Sequence, residues 1–160
     1  MKGFKLFSTK LWDKILCPIW SAIVNSFYWL FRFWKIPSAL SKKKEYLNIP
    51  SIQELMSKFK WREDNYKDWI PWIITIIDKD LEDDCDGAAA LARWWWREHC
   101  VDARLVFLYS DDGGRGHAIC VTKDNSKYVS NNIVGDLDPT DWRQDLIKKF
   151  NNVYSIVIEE

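Results

Sequence analysis

Three side chains in this sequence of 160 residues have the types and the order that acyl chemistry needs. Cys85 stands where a helix should begin, His117 where a strand should begin, and the polar stretch Ser130-Asn131-Asn132 closes the strand after it. In that order they read as nucleophile, general base and the group that orients the base. A thiol in the first turn of a helix feels the partial positive charge of the helix N-terminus, which favours thiolate, and the Cys85 amide could point at a substrate oxygen. A histidine within hydrogen-bond reach completes the activation. On adjacent antiparallel strands, His117 and one of Ser130 to Asn132 can lie side by side on one face. Asp83, Asp84 and Asp86 work against this, because they surround the thiol with negative charge unless their carboxylates turn to the helix amides or to solvent. An oxyanion donor besides the Cys85 amide would be an indole N–H, which only donates, and Trp69 and Trp72 are the candidates.

Other chemistries fit less well. Cys17, Cys85, Cys100 and Cys120 form no CxxC pair, which excludes a zinc ribbon or a thioredoxin-type motif. His99-Cys100 and His117 with Cys120 contain metal-ligating types, but strand alternation turns His117 and Cys120 to opposite faces. No metal and no cofactor is expected. Gly113-Gly114-Arg115-Gly116 has the composition of a phosphate loop without the following Lys and Ser or Thr, and reads as a hairpin lip beside His117.

The elements that must hold these residues follow from local patterning. Asp83 and Asp84 supply a cap, and Ala88-Ala89-Ala90-Leu91-Ala92 has high helix propensity, predicting a helix from Cys85 to Glu98. Trp94-Trp95-Trp96 on that helix cannot all face inward at 100° per residue, so at least one should be exposed or line a groove. Leu105 to Tyr109, His117 to Thr122 and Tyr128 to Ser130 read as successive antiparallel strands joined by turns, followed by a helix over Asp141 to Phe150 and a strand over Val153 to Ile158. Upstream, Ser51 with Glu54 three residues on is a capping-box arrangement. Ile73 to Ile77 is open between a buried strand and a helical turn.

The N-terminal part reads differently. Trp12, Leu16, Ile19, Trp20, Ile23, Phe27, Leu30 and Trp34 recur at three- and four-residue steps, with Lys14, Ser21, Asn25, Arg32 and Lys35 on the other side: an amphipathic helix over residues 1–35. Its apolar stripe is expected against the protein's own body or a partner subunit first, a membrane interface second and a bilayer-spanning position third. Residues 36–48, with Pro37 and Lys42-Lys43-Lys44, read as a linker, and residues 49–160 as the folded domain.

Composition bounds the rest. Lys plus Arg and Asp plus Glu both total 23, so the net charge is zero and no global field favours nucleic acid. Aromatic content of 16%, with 11 tryptophans, exceeds what one small core needs and points to a groove, a partner surface or a membrane interface. Pro18, Ser21, Asn25 and Ser26 interrupt the uncharged stretch from Ile15 to Phe31 and no small-residue cleavage site follows, arguing against cleaved export. An intracellular or membrane-associated location is expected.

The motifs in residues 48–158 resemble those of the transglutaminase-like cysteine peptidases of bacteria and their phages, within the papain-like class. The resemblance rests on Asp84-Cys85-Asp86 opening a small-residue helix, on Val101-Asp102-Ala103-Arg104-Leu105-Val106, on Gly116-His117-Ala118, and on Tyr128-Val129-Ser130-Asn131-Asn132, where that family has a strand ending in Asp-Asn. Ser51 to Asp64 and Asp68-Trp69-Ile70-Pro71 resemble its lead-in helix and turn. It implies an α+β papain-like core, a Cys-bearing helix on an antiparallel sheet, and a triad of Cys85, His117 and Asn131, with Asn132 or Asp136 as alternative third members. It further implies hydrolysis of a peptide or cell-wall amide through an acyl-enzyme, or acyl transfer to an amine, with a peptide or protein substrate and a phage virion as one setting. The other expectation is a docking or structural protein that keeps the fold and uses residues 1–35 to attach.

Overall fold

The computed structural model describes residues 17–63, 71–110, 116–150 and 153–159. Helix α1 spans Cys17–Leu30, a 3-10 turn Phe33–Lys35, α2 Ile36–Leu47, α3 Ile52–Ser57, α4 Ile73–Asp78 and α5 Cys85–Glu98. Two short strands, β1 (Lys60–Trp61) and β2 (Glu82–Asp83), pair in parallel between these helices. Then come β3 (Ala103–Ser110), β4 (His117–Thr122), β5 (Lys127–Ser130), β6 (Ile133–Asp136), α6 (Trp142–Lys149) and β7 (Val153–Glu159). The fold is mixed α+β. Its main sheet has the order β6-β5-β4-β3-β7, with every neighbouring pair antiparallel.

Strand alternation divides the sheet into two cores. Leu105, Ala118, Cys120 and Val129 point to one face and pack under α5 with Ala88, Leu91, Ala92 and Trp95. Val106, Leu108, Ile119 and Val121 point to the other, with Leu146 of α6 and the rings of Tyr128 and Phe150. Coverage on both faces is why Ala118 to Val121 is an unbroken apolar run.

Helix α5 begins as its sequence predicts. Asp84 is its N-cap, with the carboxylate accepting from the Asp86 amide at 3.2 Å. Gly87 lets the first turn press against β2, since a Cβ there would meet the Asp83 side chain at 2.5 Å. Trp95 and Trp96 are buried while Trp94 lines a surface cleft. Helix α3 carries the expected cap, Ser51 Oγ accepting from the Glu54 amide at 3.2 Å.

Two elements differ from expectation, and one left open between strand and helix is decided. Residues read as a linker form α2, because Pro37 falls in the first turn, where its missing N–H costs nothing, and straight-chain formers follow. Ile73 to Ile77 is helical, with the Trp72 carbonyl accepting from the Thr75 and Ile76 amides. Ile133–Asp136 adds a strand beyond the ones the patterning marks.

The largest difference is α1. At 100° per residue, Ile19, Trp20, Ile23, Phe27, Leu30 and Phe31 fall within an arc of about 120°, and this apolar arc faces outward: Phe27 is 59%, Leu30 65% and Phe31 65% exposed. Phe33 and Trp34 in the following 3-10 turn are 66% and 62% exposed. The opposite arc faces the body, and each of its buried residues, Ser21, Asn25 and Trp29, carries a hydrogen-bonding group. Of the first-ranked expectation for the stripe, against the protein's own body or a partner subunit, the own-body half is therefore reversed along α1.

The reason is local. Trp72, the N-cap of α4, provides no side-chain cap, and Asn25 completes that helix end from α1: its Oδ1 accepts from the Trp72 amide at 2.8 Å and from Thr75 Oγ1 at 2.9 Å. Asn25 Nδ2 donates to the Ser21 carbonyl at 2.7 Å, and Trp29 Nε1 donates to Thr75 Oγ1 at 3.0 Å. Further along, Tyr28 donates to Asp78 at 2.5 Å and accepts from Arg32 at 2.7 Å.

Candidate functional site

Cys85 is the first residue of α5, half-buried and packed against the core on the α5 side of the sheet. Its acidic neighbours are turned largely toward protein donors. Asp83 is buried, accepts from the Asp84 amide at 3.0 Å and from Lys79 Nζ at 3.3 Å, and its burial pushes its carboxyl pKa up. Asp84 caps the helix. Among the described residues, oxygens of Asp83, Asp84 and Asp86 come within 4.8 Å of one another, the grouping that could hold a cation.

His117 lies at the start of β4, registered opposite Leu108. Its ring packs 5.6 Å from that of Phe150, and its Nε2 shares a 2.8 Å hydrogen bond with Ser130 Oγ, whose direction follows the tautomer. Leu108, Phe150 and Tyr128 belong to the α6 side. The ring contacts of His117 are thus with residues of the α6 side, whereas Cys85 packs with the α5-side core, and the charge of Asp84 beside Cys85 still reaches the imidazole. Burial holds the His117 pKa below its ordinary value, and the negative charge of Asp84 pulls the other way.

The third position resolves differently from the family pattern. Ser130 is the group that meets His117, as alternation dictates: Tyr128 and Ser130 share a face, and Asn131 leaves it. Asn131 and Asn132 are the two residues between Ser130 and Ile133, which pair across the β5–β6 hairpin. Asn131 has φ of 51°, the left-handed conformation that asparagine tolerates, and its Oδ1 is buried without a hydrogen-bond partner. Asn132 is exposed. Asp136 sits at the far end of that hairpin, exposed and 2.8 Å from Lys127 Nζ. Strand register was the signal for Ser130, and it needed β6 to be recognised.

Trp69 lies outside the described residues. Trp72 lines a cleft of about 560 Å³ with Ala90, Arg93, Trp94, Arg97 and Leu105, residues of the middle and C-terminal part of α5 and of β3 rather than of the Cys85 turn. Cys120 is buried under α5 with its thiol pKa pushed far up by burial, and Cys100 is exposed; neither has the setting of an activated thiol.

The other feature with functional content is the outward arc of α1, continued by Phe33 and Trp34 and by Leu40 on α2. Among the described residues, no helix is long and apolar enough to cross a membrane.

The chain thus defines an α+β protein with an outward-facing aromatic helix and a cysteine at a helix start. Comparison with protein-family models, with curated proteins and with solved structures finds no match to it.

Proposed function

We propose that this chain is a docking protein: the α+β body presents α1 as a working surface that attaches it to an apolar surface outside itself. The observation that carries this reading is the polarity of α1, with hydrogen-bonding residues turned in and Phe27, Leu30 and Phe31 turned out. Burying large apolar side chains against water's alternative is favourable by about 1.5 to 3 kcal/mol each, so leaving this row exposed makes sense where something else covers it. The test is uptake of the full-length protein into nonionic detergent micelles, followed by sedimentation. The parent should carry bound detergent, and a Phe27→Gln, Leu30→Gln, Phe31→Gln variant with an unchanged melting temperature should not. Equal detergent binding by both would sink the reading.

A second reading is cysteine hydrolase chemistry on a peptide or cell-wall amide. Cys85 would attack the carbonyl, the amine would leave, and water, or an amine in the transglutaminase-type variant, would resolve the thioester. What favours it is Cys85 as the first residue of α5, with Asp84 engaged at the helix cap. What weighs against it is that the His117 ring is bonded to Ser130 and packed on Phe150. Alkylation of Cys85 followed against pH by mass spectrometry separates the two: this reading needs fast reaction below about pH 7, under the ordinary thiol pKa of about 8.5, and loss of that reaction in His117→Ala.

A further inference from the structure

The docking reading leaves the occupant of the α1 face open, and the distribution of charge narrows it. The chain is neutral overall, but its halves are not: residues 1–44 hold nine Lys and Arg against the single acid Asp13, and residues 45–160 hold 14 against 22. The surplus of positive charge is carried by the segment that contains the outward aromatic arc. Four lysines, Lys2, Lys5, Lys10 and Lys14, precede α1 along the chain, and Lys35 and Lys42 to Lys44 follow the arc. The remainder is net acidic and pairs with part of that surplus, Arg32 with Asp78, Lys42 with Asp80 and Lys43 with Glu98.

We infer that α1 docks in the plane of an anionic lipid surface, with Trp20, Phe27, Leu30, Phe31 and Trp34 entering the headgroup boundary and the net positive charge of residues 1–44 supplying the attraction to the lipid. This rests on the docking reading above and adds the partner's chemistry. Three observations favour lipid over a protein groove or a second copy. The arc mixes tryptophan and phenylalanine with aliphatic residues, the composition that partitions to the headgroup level. The basic surplus matches an anionic sheet, whereas a second copy would bring like charge against like. The inner side of α1 is hydrogen-bonded to α4, so the helix lies against the body and offers one face only, the geometry of a helix resting on a surface rather than crossing it. The acidic remainder would be repelled by the same lipid, which orients the body away from the membrane.

The experiment is flotation of the full-length protein with vesicles of phosphatidylcholine alone or with about a third phosphatidylglycerol, at low and high salt. Partition into the anionic vesicles should exceed that into neutral ones by upwards of about tenfold and fall as salt screens the lysines. The Phe27→Gln, Leu30→Gln, Phe31→Gln variant should lose partition at both salts, and Lys2→Gln, Lys5→Gln, Lys10→Gln, Lys14→Gln should lose the preference for anionic lipid. Bound protein should be released by alkaline carbonate; resistance to release would mean insertion across the bilayer and overturn the in-plane arrangement. Detergent binding without any anionic preference would leave docking standing and overturn the lipid assignment. A stable dimer in sedimentation, abolished by the apolar-face variant and indifferent to vesicles, would assign the face to a second copy instead. Failure of both detergent and vesicle binding would remove the two proposals together.

Discussion

Helices α5 and α1 pack on the same body with opposite polarity. Helix α5 turns Ala88, Leu91, Ala92 and Trp95 onto the sheet and is held by apolar burial. Helix α1 turns Asn25 and Trp29 onto α4 and is held by a set of directed hydrogen bonds together with the buried Trp29 ring, its apolar arc facing out. Amphipathicity locates the apolar side of a helix; it does not by itself locate the inside of the protein. What decides is whether the neighbouring surface needs apolar cover or hydrogen-bond partners, and the N-terminus of α4 needs partners.

Truncating each helix on its apolar side should break the symmetry most sharply. Leu91→Ala is expected to cost about 2 to 5 kcal/mol of stability in urea unfolding, because it leaves a cavity against the sheet. Phe27→Ala should change stability by less than about 0.5 kcal/mol, and an equal loss at both sites would mean that the outer arc of α1 is covered within the molecule. Next in size is Asn25→Leu, similar in volume but unable to accept from the Trp72 amide or Thr75, with an expected loss of about 1 to 3 kcal/mol by the same measurement. No loss there would remove the hydrogen-bonded account of α1.

Smaller effects concern His117. Its pKa is lowered in the fold, so the unfolded chain binds the proton more readily and the neutral imidazole stabilises the native state above its ordinary value of about 6.5. That contribution should fade as pH falls below 6.5 through the lower folded value, and His117→Gln should flatten this part of the stability profile relative to the parent. The smallest expected change is at Cys85, where His117→Ala should alter the alkylation rate by less than about twofold at any pH, since the imidazole is engaged by Ser130 and Phe150. A large drop would restore the pair and with it the acyl-transfer reading.

The α5 helix and the strands β3, β4 and β5 were legible because capping, alanine content and strand patterning all agree there. Asp84-Cys85 at a helix start was legible for the same reason. The relation of His117 to Cys85 was not, because order along the chain does not reveal which sheet face a strand residue takes; that depends on register, and one residue of slip exchanges the faces. Asn131 illustrates the same gap. Its type suits both an orienting amide and a left-handed turn residue, and only recognition of β6, a four-residue strand of mixed polarity, separates the two. For α1 the periodicity was plain, and the direction it faces was hidden in the unmet hydrogen-bonding needs of an element some fifty residues away.

The way Asn25, Trp29 and Tyr28 hold α1 has a thermal consequence. Opening of α1 would break these hydrogen bonds and expose one buried ring, Trp29, where opening of α5 would expose Leu91, Trp95 and Trp96, so the heat-capacity change is the smaller for α1 and its free energy should vary more gently with temperature. Amide exchange measured across temperature should therefore find α1 opening separately from α5, with the flatter dependence. The body would then keep its packing through such local openings, and the outward arc would be the part of the molecule whose orientation changes first.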